Sequence, residues 1–212
     1  MLELLLADSR TPSGGYAHSG GLEAAVGEGL GVAGIAGFVR ARLRTVGLVD
    51  ASIAAASAIE PDIGAWLALD HEWSARTPAG PVRAAARQMG LSLLRVARRW
   101  WPADELLPGY ARASELTPRP VALGAVAQVG ALAPLAAARL SLYEDAAGTM
   151  SAAAKLLPID TADASGWLAA LGPELEDLAR QAVAEGIAST STPLLDRRAL
   201  AHAHNERKLF AS

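Results

Sequence analysis

The chain has 212 residues, of which 51% are apolar and 19% charged, with a formal net charge of −3 and no cysteine. So much apolar material excludes global disorder. The missing cysteines exclude disulfides, thiolate catalysis and cysteine-held metals, and the acidic balance argues against a nucleic-acid binder. Aromatics make up only 5% while alanine and leucine abound, a composition that favours helices over strands.

In chain order, Leu2 to Ala7 is a short apolar segment, too short and too acidic at Glu3 for a leader peptide. Asp8 to Gly15 is rich in turn residues. Ser19 reads as the N-cap of a helix that begins near Leu22. Glycines at 27, 29, 31 and 34 end it. Ile35, Phe38, Val39, Leu43, Val46, Val49 and Ile53 then step by three or four, predicting a long helix that stops near Pro61. A second helical pattern covers Ile63 to Trp73. After the linker Thr77 to Pro81, the residues Val82, Ala86, Met89, Leu93, Val96 and Trp100 form the most regular apolar stripe of the chain.

Pro102, Pro108-Gly109, Pro118 and Pro120 read as punctuation. A helix is predicted from Val121 to about Ala133, and another from Leu135 to Lys155 with Pro134 in its first turn. The uncharged stretch Pro120 to Ala138 approaches the length of a membrane span. It is mostly small residues, with Gln128 and Pro134 inside it, and reads instead as a buried helix pair. Two further helices, Trp167 to Leu171 and Leu175 to Ile187, flank Gly172-Pro173. The segment from Ser189 onward is polar and turn-like, leading to Leu194-Leu195 and a final stretch Ala199 to Ser212. The expectation is an all-α, single-domain bundle of roughly eight to ten helices over residues 1–188, followed by a C-terminal extension, 189–212.

Several patterns carry possible chemistry. Gly29-Leu30-Gly31-Val32-Ala33-Gly34 matches the dinucleotide fingerprint, which would make the chain a nucleotide-dependent enzyme. That reading needs a strand before it and a helix after it, and the preceding residues read as helix. The loop Gly14 to Gly21 holds four glycines around Tyr16, His18 and Ser19, without the lysine of a phosphate-binding loop. His202 and His204 face different ways on a helix, so a solvated polar tail is favoured over a metal site. Arg83, Arg87, Arg95, Arg98 and Arg99 share one predicted helix, either as a solvated face or as a patch that meets an acidic protein partner. No nucleophile elbow or catalytic triad is present, so no catalytic residue is assigned.

Four segments resemble the UreF family of urease accessory proteins. The first is Leu5-Leu6-Ala7-Asp8-Ser9 followed by Pro12-Ser13-Gly14-Gly15-Tyr16-Ala17-His18-Ser19-Gly20-Gly21-Leu22-Glu23. The others are Arg87-Gln88-Met89-Gly90 with Leu93-Leu94, Met150 to Pro158, and Glu206-Arg207-Lys208-Leu209-Phe210-Ala211-Ser212. The resemblance implies a non-catalytic, all-α cytoplasmic scaffold for nickel insertion into urease, a dimer with no cofactor of its own. Its implied partners are a UreD/UreH-like accessory protein, a UreG-like GTPase and apo-urease, without nucleic acid or membrane. It leaves open a transient nickel contact through His202 or His204. Partner-binding residues implied by the matching motifs are Tyr16, His18, Ser19, Gly20, Glu23, Lys155, Arg207, Lys208, Leu209, Phe210 and Ser212. Where the family usually has arginine directly before Leu-Phe, Lys208 stands here and Arg207 one residue earlier; lysine lacks the planar fork of arginine. The Leu209-Phe210 pair would contribute about 3–6 kcal/mol if both were buried. It is expected to dock on the UreD-like partner, with packing on its own core as the alternative.

Overall fold

A computed structural model describes residues 1–8, 10–12, 18–59, 61–203 and 209–210. Among these there are helices and no strand. The helices are α1 (Leu2–Ala7), α2 (Leu22–Gly27), α3 (Ile35–Arg42), α4 (Leu48–Ser57), α5 (Ile63–Arg76), α6 (Gly80–Trp100), α7 (Leu106–Ala113), α8 (Arg119–Val129), α9 (Pro134–Leu156), α10 (Thr161–Ala170), α11 (Gly172–Ala184) and α12 (Pro193–Ala203). A π-helical turn, Leu43–Gly47, joins α3 to α4 without a break, so the twelve segments make eleven helices.

The all-α expectation holds, with more helices than the sequence suggested. Two segments read as loop or punctuation, α7 and α12, are helical, and so is the short apolar segment at the start, α1. α1 is short and anchored by the buried Leu6. α7 runs through Pro108 and Gly109. Pro108 sits in the first turn, where the missing N–H costs nothing, and Asp104 accepts the N–H of Leu107 there. α12 occupies the polar tail. The break at Pro134 falls where expected, since that proline opens α9.

α4 and α9 form the axis, because both contribute to two separate apolar cores. The first core lies toward α5, α6, α7 and α8, and contains Val49, Ile53, Trp66, Trp73, Leu93, Leu107, Tyr110, Val121, Leu123 and Leu140. Trp66 and Tyr110 meet edge to face at 5.5 Å, and the Trp66 indole donates to the Ser57 carbonyl at 2.9 Å. The second core lies toward α2, α3 and α11, and contains Leu22, Ile35, Val39, Leu43, Leu142, Met150 and Leu178. The uncharged stretch divides into α8, buried along most of its length, and the start of α9. No helix is long and apolar enough to cross a membrane among the described residues.

The first core also encloses one carboxylate. Asp70 is 2% exposed. It accepts from the Tyr110 hydroxyl at 2.5 Å and from Ser114 Oγ, while Ser114 Oγ accepts the N–H of Thr117. Burial pushes the Asp70 carboxyl up to about 6, against the pull of the Ser114 and Tyr110 hydrogen bonds. A carboxyl raised in the folded state favours folding below its unfolded value near 4, and that advantage is lost as pH rises to 6. Urea denaturation should therefore show stability falling by about 2–3 kcal/mol from this group between pH 4 and pH 7. In Asp70→Asn that part of the pH dependence should vanish; an unchanged slope would remove Asp70 as its source.

Candidate functional site

Residues 18–21 lead into α2 beside the middle of α9. Gly20 and Gly21 adopt φ of +63° and +86°, in the left-handed region. Ser19, read as the N-cap, sits two residues before the cap position, which Gly21 holds. The Ser19 hydroxyl still accepts the Glu23 N–H at 3.3 Å, so it steadies the first turn of α2. His18 lines the adjoining cleft, and burial lowers its imidazole below the usual histidine range.

Arg42, the last residue of α3, ties this loop to α9. Its Nη1 donates to the Gly20 carbonyl at 2.8 Å, and its Nε and Nη2 reach Asp145 Oδ1 at 2.8 and 2.6 Å. The guanidinium lies 3.0 Å from where a Cβ on residue 20 would stand. Burial disfavours the Arg42 charge, but Asp145 beside it more than compensates and the guanidinium is held above its ordinary value. On the residue just before Asp145, Glu144, both carboxylate oxygens accept from Arg119 Nη2, at 2.6 and 2.7 Å. Burial raises the Glu144 carboxyl despite that partner. Asp50 on α4 accepts from the Trp73 indole at 2.7 Å, and burial lifts its carboxyl to about 7.

These five charges line a cleft of about 580 Å³ whose other walls include Val46, Val49, Met89, Leu123 and the α12 residues Leu195 and Ala199. Sequence reasoning missed the cluster, because its members lie as far as 103 residues apart. The π turn helps build it. The Thr45 carbonyl within that turn accepts from Thr190 Oγ1 at 2.9 Å, which carries the chain onto the cleft before α12. π turns of this kind are frequent at functional sites.

The tail closes back on the same corner. Glu23 accepts the backbone N–H groups of Leu209 and Phe210, at 2.6 and 3.0 Å on its two oxygens. Phe210 is 5% exposed, packed into the second core, with Lys155 Nζ 5.4 Å from its ring centroid. Nε2 of His202 lies 3.3 Å from the Phe210 carbonyl and 3.4 Å from Glu23. Arg198 pairs with Glu28 at 2.7 Å, fixing α12 to the end of α2.

Glu23, Lys155, Leu209 and Phe210, taken from three separate motifs, thus meet at one place, with Ser19 and Gly20 in the loop beside it. The Leu209-Phe210 pair does not act as a unit: Phe210 packs on its own chain, and Leu209 is 64% exposed. His202 is buried in α12 rather than solvated. Tyr16, His204, Arg207, Lys208 and Ser212 lie outside the described residues. The Gly29 to Gly34 loop runs from α2 into a short 3-10 turn, Val32–Gly34, and then α3. With a helix before it instead of a strand, it lacks the βα turn that a dinucleotide site requires.

The UreF family model matches residues 31–172. The chain is 43% identical over 211 residues to the urease accessory protein UreF of Mycobacterium sp. (strain JLS), covering 99% of this chain and 97% of that protein. It is 42% identical over 214 residues to the protein of that name from Mycolicibacterium vanbaalenii, with the same coverage. The Mycobacterium tuberculosis H37Rv protein of that name is 41% identical over 214 residues, again covering 99% and 97%.

Proposed function

The chain belongs to the UreF family of urease accessory proteins, and from that premise we propose that it is a non-catalytic scaffold in the cytoplasm for nickel delivery to apo-urease. It joins a UreD/UreH-like protein, recruits a UreG-like GTPase and works as a dimer. The observation that carries the reading is identity above 40% along essentially the whole chain, tail included. The site is consistent with assembly rather than turnover. Arg42 and Asp145 fix the loop at Gly20, Glu23 holds the tail, and Arg119 with Glu144 ties α8 to α9, an arrangement that serves to position surfaces. Nickel is cargo of the complex rather than a resident cofactor. Deleting the gene in a urease-positive host and measuring nickel per urease active site tests the role: nickel-poor urease is expected, and full loading would refute it.

Within that reading, the partner-binding surface is the tail corner: Leu209 and Lys155 on the outside, held by Phe210 and Glu23 beneath, with the loop at His18, Ser19 and Gly20 alongside. Tyr16, Arg207, Lys208 and Ser212 belong to the same proposed surface through their motifs. Leu209→Ser should leave stability within about 0.5 kcal/mol, as exposed substitutions do, yet weaken co-purification with the UreD/UreH-like protein about tenfold. Truncation after Ala203 should abolish co-purification and also lower the melting temperature, since it removes Phe210 from the second core. Undiminished capture by both variants would show that the partner binds elsewhere.

A further inference from the structure

We infer that the C-terminal half of α6 is a second protein-docking surface, whose occupant is an acidic patch on one of the proteins assembling around urease. The inference rests on the scaffold reading above. Between Trp73 and Ala103 the sequence has six arginines and no aspartate or glutamate, in a chain whose net charge is −3. Five of those arginines, Arg83, Arg87, Arg95, Arg98 and Arg99, lie on α6.

The structure separates them into two kinds. Arg83 donates to the carbonyls of Thr77 and Pro78, and Arg87 to that of Glu115, so both hold the loops at the start of the helix. Arg95, Arg98 and Arg99 are exposed on adjoining turns. Among the described residues nine other arginines pair with carboxylates, while Arg112 and Arg197, each on a different helix, do not. None of the α6 five does, and Arg95 reaches only Ser92 Oγ at 3.2 Å.

Like charges three and four residues apart on a helix repel. The negative end of the helix dipole offsets part of that cost for the last turn, but does little for Arg95. A cluster that the fold itself leaves uncompensated fits a surface neutralised by a partner. Beside it, Trp100 and Trp101 pack edge to face at 5.7 Å, both only half-buried. Arginine with tryptophan is the composition of interface anchors. The overall negative charge disfavours a polyanion such as nucleic acid, which attracts through long-range net charge, whereas a local carboxylate cluster needs only the local arginines.

The test uses the full chain and the reversed variant Arg95→Glu/Arg98→Glu/Arg99→Glu, checked for unchanged helicity and melting. Each is titrated against the purified UreD/UreH-like protein, the UreG-like GTPase and apo-urease of the same host, at 50 and 300 mM salt. At least one of these should bind the wild type, lose tenfold or more in affinity on raising the salt, and lose tenfold or more with the reversed chain at low salt. The charge-keeping triple lysine variant should stay within about threefold of wild type. Equal binding by the reversed variant overturns this inference and leaves the scaffold reading standing. Wild-type binding to none of the three overturns both. A reversal effect confined to a 20-base-pair DNA duplex or to anionic vesicles would overturn the assignment to a protein partner.

Discussion

Replacing Arg42 with leucine should cost about 3 kcal/mol of stability and release the loop at residues 18–21. Removing one member of a buried pair leaves the other as an uncompensated charge, an effect of about 3–5 kcal/mol for deep burial. The lower end applies because the Arg42 and Asp145 side chains retain 15% and 18% exposure. The Gly20 carbonyl loses its donor at the same time, so amide hydrogen exchange at residues 20–23 should quicken. Glu23 leads α2 directly after this loop, and the tail hangs on Glu23, so co-purification with the UreD/UreH-like protein should fall with it. The double variant Arg42→Leu/Asp145→Leu should recover at least half of the lost stability, because apolar replacement of both partners removes the stranded charge. If it recovers stability without recovering the partner, the ion pair positions the loop; if it recovers neither, the loss comes from packing of the long arginine side chain.

The second large effect is expected from Gly124→Val on α8. A Cβ at this position would collide with the Ala54 carbonyl oxygen and the Ser57 Cβ on α4. These are parts of the best-buried helix of the fold, not ends of flexible side chains, so one helix must move. Overpacking against side chains costs about 1–3 kcal/mol. Against backbone the loss should exceed about 3 kcal/mol, read as a lower denaturant midpoint at an unchanged m-value. In a urease-positive host the variant should reduce urease nickel content through lower abundance of the protein, the usual consequence of such a loss. A midpoint within experimental error of wild type would mean that α4 and α8 can separate freely.

The two variants also mark where sequence reasoning reached and where it stopped. Gly124 sits in a stretch already recognisable as a buried helix pair, since small residues without charge let helices approach closely. The stripe from Val82 to Trp100 and the helix start at Pro134 were legible for similarly local reasons: periodicity of three and four, and a proline whose missing N–H suits a first turn. α7 and α12 were not. α7 carries Pro108 and Gly109, which are breakers by propensity but harmless in a first turn and against a packed neighbour. α12 has a weak apolar face, and its docking depends on Arg198 meeting Glu28, 170 residues away. Local propensity is a weak prior that such contacts override.

By itself, then, the sequence determined the helical class, the central buried pair and the family motifs, all of which depend on residue type or on neighbours within a few positions. Only the tertiary structure decided that Glu23, His202, Lys155 and Phe210 share one corner, that Phe210 and Leu209 part company, and that Arg42, Asp50, Arg119, Glu144 and Asp145 line one cleft. Burial, ion pairing and the direction in which a carboxyl titrates all depend on atoms brought close in space from distant parts of the chain. They are properties of the packed helices, which no window along the sequence contains.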